Sequence, residues 1–126
     1  MLKFTMIGLG GLLGAIGRYT LSEYVQRLFN SPFPAGTLVV NVLGCFFLGA
    51  VMHLIQSQGL FSVHTRMFIT VGLLGAATTF STFGHETVTL IDGGKGWLAL
   101  LNVAGNVILG FSAVWLGTSA VRSAGY

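Results

Sequence analysis

The chain has 126 residues, of which 53% are hydrophobic, 7% are charged and 19 are glycine, with a net charge of +3. Soluble domains carry about 25% charged residues, and nine charged side chains cannot cover the surface of a 13.3 kDa globule. That excludes a soluble enzyme, a disordered chain and a nucleic-acid binder, since the six Lys and Arg are scattered and form no patch. Cys45 is the single cysteine, so one chain holds neither a disulfide framework nor a zinc cluster. What remains is an integral membrane protein.

Charge-free stretches run over residues 4–17, 28–65, 67–85 and 96–121, counting His as neutral. A helix needs about 20 apolar residues to cross about 30 Å of hydrocarbon. The second stretch is long enough for one crossing and a loop, and Asn30-Ser31-Pro32-Phe33-Pro34 marks that loop by its turn chemistry. The spacing predicts one all-α domain of four spans, at about residues 3–25, 35–57, 64–92 and 96–121. Linkers fall at 31–34, 58–62 and 92–94.

In the first span, Gly10-x-x-x-Gly14 and Gly11-x-x-x-Ala15 are small-residue faces that let helices approach closely. Residues 6–16 could also form the apolar core of a signal peptide. No convincing small-x-small cleavage site follows, and Arg18, Glu23 and Arg27 continue a helical pattern, so a retained span is expected. Arg18 is either a functional ionisable group at membrane depth or a side chain that snorkels to the interface. In the second span Asn41 sits early, where an amide needs a partner or a wet path. Gly44, Gly49, Gly105, Gly110 and Gly117 extend the small-residue habit into the second and fourth spans.

The third span reads Gly72-Leu73-Leu74-Gly75-Ala76-Ala77-Thr78-Thr79-Phe80-Ser81-Thr82-Phe83-Gly84-His85-Glu86. Two glycines followed by hydroxyl residues make a poor continuous helix, and hydroxyls can satisfy backbone groups that a break frees. Composition leaves open both a break near mid-membrane and an unbroken helix whose hydroxyls bond back to the preceding turn. Beyond the break Thr79, Thr82 and Glu86 share one helical stripe, with Phe80 and Phe83 on a neighbouring one. Polar groups beside aromatic ring edges suit a small dehydrated anion, because ring hydrogens are the positive part of the quadrupole. Plain core packing of the two rings remains the alternative. Glu86 is either a functional carboxylate or a residue near the end of its span.

In the fourth span Asn102 and Asn106 lie four apart and face one way, and Trp97 and Trp115 fit an aromatic belt. Three intramembrane amides tilt the reading from interhelical glue toward a polar pathway. His53, His64 and His85 are too dispersed for a metal site in one chain. With both termini on one side, Lys3, Arg66 and Arg122 oppose Arg18, Arg27 and Lys95, so the positive-inside rule assigns no orientation. That balance fits either charges too few to count or insertion both ways round, which permits an antiparallel homodimer. No Ser-His-Asp set, paired carboxylates or phosphate loop is present, so passage rather than catalysis is expected.

The string Gly75-x-x-Thr78-Thr79-Phe80-Ser81-Thr82-Phe83, followed by Glu86, resembles the signature of the Fluc (CrcB-type) fluoride channel family. The resemblance takes in Gly36-Thr37-Leu38-x-x-Asn41, Gly14-x-x-x-Arg18 and the four-span plan from end to end. It implies a dual-topology homodimer in a bacterial plasma (inner) membrane, whose two antiparallel pores let fluoride leave the cytoplasm passively. It implies a structural sodium ion at the dimer centre, held by backbone carbonyls at positions matching Gly75 and Thr78. Phe80 and Phe83 match pore-lining phenylalanines and Asn41 a pore asparagine, while Ser81, Thr82 and Glu86 match the hydroxyl-rich track beyond the rings. Arg18 matches a vestibule arginine and Thr37 a threonine near the interface. The fourth span departs from the pattern: Gly110 stands where many members have serine, with Asn106 and Ser112 nearby as substitutes for the pathway. His85 likewise replaces a small residue common before the glutamate.

Two other classes compete with a fluoride channel. A proton-coupled exporter of cationic drugs would want a carboxylate early in the chain, and the first span has none before Arg18. A non-transporting membrane assembly protein would use every polar residue as interhelical glue.

Overall fold

The computed structural model describes residues 1–59 and 61–125, and they are helical almost throughout. Helix α1 spans Leu2–Phe29 and α2 spans Ala35–Gln58. The third leg is composite: α3 (Val63–Arg66), a π-helical segment (Met67–Leu74) and α4 (Gly75–Ala77) lead to α5 (Phe80–Asp92). Helix α6 spans Gly96–Ser123 and completes four antiparallel legs. The helices match the expected spans, with α1 running four residues further and carrying an exposed Glu23–Arg27 pair at 3.4 Å. The linker at 58–62 is described except for Leu60.

Local chemistry ends each helix. Asn30 takes a left-handed conformation with φ 40°, which asparagine tolerates, and its N–H donates to the Gln26 carbonyl. Gln26 then holds the whole loop: its amide nitrogen donates to the Ser31 and Phe33 carbonyls at 2.7 and 3.1 Å, and its oxygen accepts from Gly36 N. Gly59 closes α2 at φ 59°, and Ser62 caps α3 by accepting from Thr65 N.

Three segments, Ala35–Gln58, Val63–Asp92 and Gly96–Ser123, are long and apolar enough to cross a membrane. Helix α1 has the length, about 42 Å at 1.5 Å per residue, but carries Lys3, Arg18, Glu23 and Arg27. Trp97 lies in the first turn of α6 and Trp115 two turns before its end. Both rings are largely exposed.

The packing is that of a membrane bundle, with small residues inside and large ones outside. Leu12, Leu13, Ile16, Phe111 and Trp115 are exposed, while Gly10, Gly14, Gly49 and Gly117 are buried. A methyl group at Gly10 or Gly14 would fall on the Phe68 or Leu73 carbonyl, so α1 and the π segment meet backbone to backbone. The same holds between α2 and α6, where a Cβ at Gly49 or Gly117 would strike the Val114 or Phe46 carbonyl. Of the two small-residue faces on α1, Gly10 and Gly14 are the glycines at which a Cβ would collide, whereas a Cβ at Gly11 would meet nothing within 4 Å.

The third leg breaks where two β-branched residues follow each other. Thr78 (φ −98°, ψ 157°) and Thr79 (φ −151°, ψ 119°) are extended, near the middle of the 30-residue Val63–Asp92 segment. Thr79 starts α5 by accepting from Thr82 N through its hydroxyl. The break that composition left open is present in the structure.

Candidate functional site

The break is held open by a side chain from another helix. Asn41 Oδ1 accepts from Thr79 N at 2.9 Å, and Asn41 Nδ2 donates to the Thr79 carbonyl at 3.2 Å. The α2 amide thus acts as a surrogate peptide group for Thr79. In a continuous helix Thr79 N would bond the Gly75 carbonyl and Thr82 N the Thr78 carbonyl. With those donors turned to Asn41 and to Thr79 Oγ1, the Gly75 and Thr78 carbonyls are released from their helical partners. Between them, the Ala76 carbonyl accepts from Arg18 Nε at 3.2 Å. Arg18 is therefore turned into the protein at the break, not snorkelled away from it.

Two cavities meet at this point. One, of about 300 Å³, is lined by Asn41, Thr78, Thr79, Phe80, Phe83 and Asn106, with Cys45, Leu48, Val107 and Phe111 completing its wall. The second, of about 200 Å³, is lined by Arg18, Thr37, Thr79, Thr82 and Glu86 together with Tyr19, Ser22, Glu23 and Val40. Thr79 belongs to both, so the broken helix forms the wall between them. The aromatic residues stand together: the Phe80 and Phe83 centroids are 5.6 Å apart with rings inclined at 54°. Phe80 is 84% exposed on the single chain, projecting past the bundle.

In the second cavity Thr37 Oγ1 donates to Glu86 Oε1 at 2.7 Å, joining α2 to α5. Glu86 Oε2 is buried and accepts from no donor among the described residues. A buried acceptor left open in this way needs a mobile donor, such as water entering with an ion. Thr79 Oγ1 donates to Thr82 Oγ1 at 3.0 Å, which leaves the Thr82 hydroxyl hydrogen available to the cavity.

The predicted residues thus fall into two groups and two outliers. Asn41, Thr78, Phe80, Phe83 and Asn106 gather in the larger cavity, and Arg18, Thr37, Thr82 and Glu86 in the smaller. Ser81 is exposed outside both, with Oγ 3.4 Å from Thr79 Oγ1. Gly75 lines neither and is exposed on the single chain. Gly110 is buried, and a Cβ built there would lie 3.7 Å from Cys45 Sγ, while Ser112 faces outward. Of the two fourth-span substitutes, Asn106 reaches the cavity and Ser112 does not.

Cys45 and Phe111 were not foreseen as lining residues. Cys45 follows Asn41 by four residues on α2, a spacing that places both on one face. Among the described residues no group of three or more His, Cys, Asp or Glu could hold a metal.

The amides carry a constraint that spacing alone does not reveal. Asn41 Nδ2 donates to the Thr79 carbonyl and to Asn106 Oδ1 at 2.8 Å, which uses both of its hydrogens. Asn106 Nδ2 donates to the carbonyl and to Oδ1 of Asn102, each at 3.0 Å. Asn41 and Asn106 line the cavity with their donors already committed.

Residues 5–118 match the family model described as "CrcB-like protein, Camphor Resistance (CrcB)". The chain is 48% identical over 127 residues to "Fluoride-specific ion channel FluC 1" of Methanosarcina acetivorans, covering 100% of this chain and 96% of that protein. It is 45% identical over 117 residues to "Fluoride-specific ion channel FluC 3" of Methanosarcina barkeri, covering 93% and 88%. "Fluoride-specific ion channel FluC" of a Shewanella species (strain W3-18-1) is 45% identical over 123 residues, 98% of each chain.

Proposed function

The chain belongs to the CrcB-like family, and from that premise we propose a fluoride-selective channel of the plasma membrane, working as an antiparallel pair of identical chains with one pore each. The observation that carries the reading is the cavity where the broken third leg sets the Phe80 and Phe83 rings beside Thr79. A small anion stripped of water needs positive partners. Ring edges supply them without a fixed charge that would hold the ion too tightly. With the Asn41 and Asn106 hydrogens committed, the Thr82 hydroxyl, one helical turn past the break, is a donor left to the track. Arg18 adds positive charge at the mouth of the smaller cavity, which concentrates anions there.

Two features support a pair of chains. Phe80, Ser81 and Gly75 are exposed on one chain beside a break in the backbone, and irregular backbone at membrane depth has to be covered by protein. Covering it with a second copy closes the open side of the larger cavity. The three-against-three division of Lys and Arg permits the copy to insert inverted.

The family implies a resident sodium ion, and the break suits one. Hard cations take oxygen ligands, and the Gly75 and Thr78 carbonyls are those released from helical pairing. Two inverted chains would bring four such oxygens together. When bound, sodium supplies a fixed positive charge and ties the two breaks to each other.

The test is passive efflux of fluoride from liposomes containing purified protein, with valinomycin and potassium to carry the compensating charge. Fluoride release is expected from the native protein. Phe80→Ile and Phe83→Ile are each expected to slow it at least about fivefold, by removing ring edges worth about 1 kcal/mol or more, while the purified dimer persists. Unchanged flux in both variants would remove the rings from the pathway.

A further inference from the structure

The amides beside the cavity belong to a longer chain of hydrogen bonds that runs in one direction. It starts at Thr79 N, freed by the break, which donates to Asn41 Oδ1 at 2.9 Å. Asn41 Nδ2 donates to Asn106 Oδ1 at 2.8 Å, and Asn106 Nδ2 to Asn102 Oδ1 at 3.0 Å. Asn102 Nδ2 donates to Thr87 Oγ1 at 2.9 Å, and Thr87 Oγ1 donates to the Phe83 carbonyl at 2.8 Å. Three helices are crossed: α2, α6 and α5. The chain returns to the residue whose ring forms the cavity wall.

Main-chain groups at the two ends fix its polarity. A peptide N–H can only donate and a carbonyl can only accept. Because Asn41 Oδ1 must face Thr79 N, its other end presents hydrogens, and Asn106 must answer with oxygen. Asn106 Nδ2 is fixed a second time by the Asn102 carbonyl. At the far end the hydroxyl of Thr87 accepts from Asn102 because its own hydrogen is spent on Phe83. Such head-to-tail chains also strengthen each other by polarisation.

Asn102 is 0% exposed, and neither it nor Thr87 lines either cavity at the break. Neither can touch an ion there. We infer that the Thr87–Asn102 pair is a positioning anchor of the fluoride pathway: it holds the Asn41 and Asn106 hydrogens away from the cavity, so that the anion meets ring edges there instead of two amides. This rests on the fluoride reading above and deepens it. A channel must bind its ion weakly enough to release it. An amide hydrogen released into the cavity would form a strong bond to fluoride and hold it there.

Thr87→Val keeps the shape of the side chain but removes the acceptor for Asn102 and the donor to Phe83. Fluoride currents measured against fluoride concentration are expected to show half-saturation about tenfold lower, the worth of one hydrogen bond to a charged group, with a reduced maximum. Thr87→Ser, which restores the hydroxyl, is expected to match the native protein. Asn102→Leu, which cuts the chain at its middle, gives an independent reading of the same shift if Thr87→Val fails to fold. A purely structural role would lower the maximum by lowering the number of folded channels and leave half-saturation unchanged in every variant; that result overturns the inference. Loss of fluoride current in the native protein would instead overturn the functional reading.

Discussion

Asn41→Asp is expected to reduce fluoride flux about a hundredfold while the protein still purifies as a folded assembly. Two effects add. The carboxylate has no hydrogens to give, so it faces the Thr79 carbonyl and Asn106 Oδ1 as a third acceptor where the amide made bonds of 3.2 and 2.8 Å. It also places a negative charge on the wall of the cavity that the anion must traverse. Two like charges about 6 Å apart at an effective dielectric of about 20 repel by about 3 kcal/mol, which corresponds to about two powers of ten in rate. Flux measured in liposomes at matched protein content checks this. Native flux from Asn41→Asp would show that the ion does not pass this amide.

The largest structural effect is expected at Gly117. A Cβ there would fall on the Phe46 carbonyl and lie 3.0 Å from Ala50 N, both main-chain atoms of α2 that no rotamer change can move. Gly117→Val must push α6 away from α2 along their shared face and is expected to cost about 3 kcal/mol or more. Thermal unfolding in detergent, followed by loss of the folded peak, reads that cost. Gly96→Ala is the matched control, since a Cβ at Gly96 meets nothing within 4 Å and should leave the transition in place. An unchanged transition in Gly117→Val would contradict backbone-to-backbone packing of the two helices.

Charge placement made most of the architecture legible. Sparse Lys, Arg, Asp and Glu outline the legs, and Asn30 and Gly59 end α1 and α2 where their φ values of 40° and 59° require. The break was half legible. Thr78-Thr79 after Gly72 and Gly75 signals weakness in a helix, but the structure adds what resolves it, an amide on α2 that replaces the missing bonds of Thr79. That partner lies 38 residues away, beyond any local pattern. The π-helical turn over Met67–Leu74 was not legible at all. It lies where Gly72 meets the backbone of α1 at Ile7 and Gly10, a contact between distant segments.

At the site, residue types were readable and their commitments were not. Asn41 and Asn106 look like donors for an anion because amides are rare at depth, yet their hydrogens are already placed. Thr37 and Glu86 are 49 residues apart, and their 2.7 Å bond follows only once α2 and α5 are packed. Gly75 is exposed on the single chain, and its carbonyl is released there because Thr79 N turns to Asn41, 38 residues away.

Selectivity between two halides is the most direct test of a pathway built from ring edges and a hydroxyl. Liposomes holding the purified protein and loaded with equal fluoride and chloride should release fluoride rapidly while chloride stays inside. Equal release of the two anions, or release of neither, would contradict it.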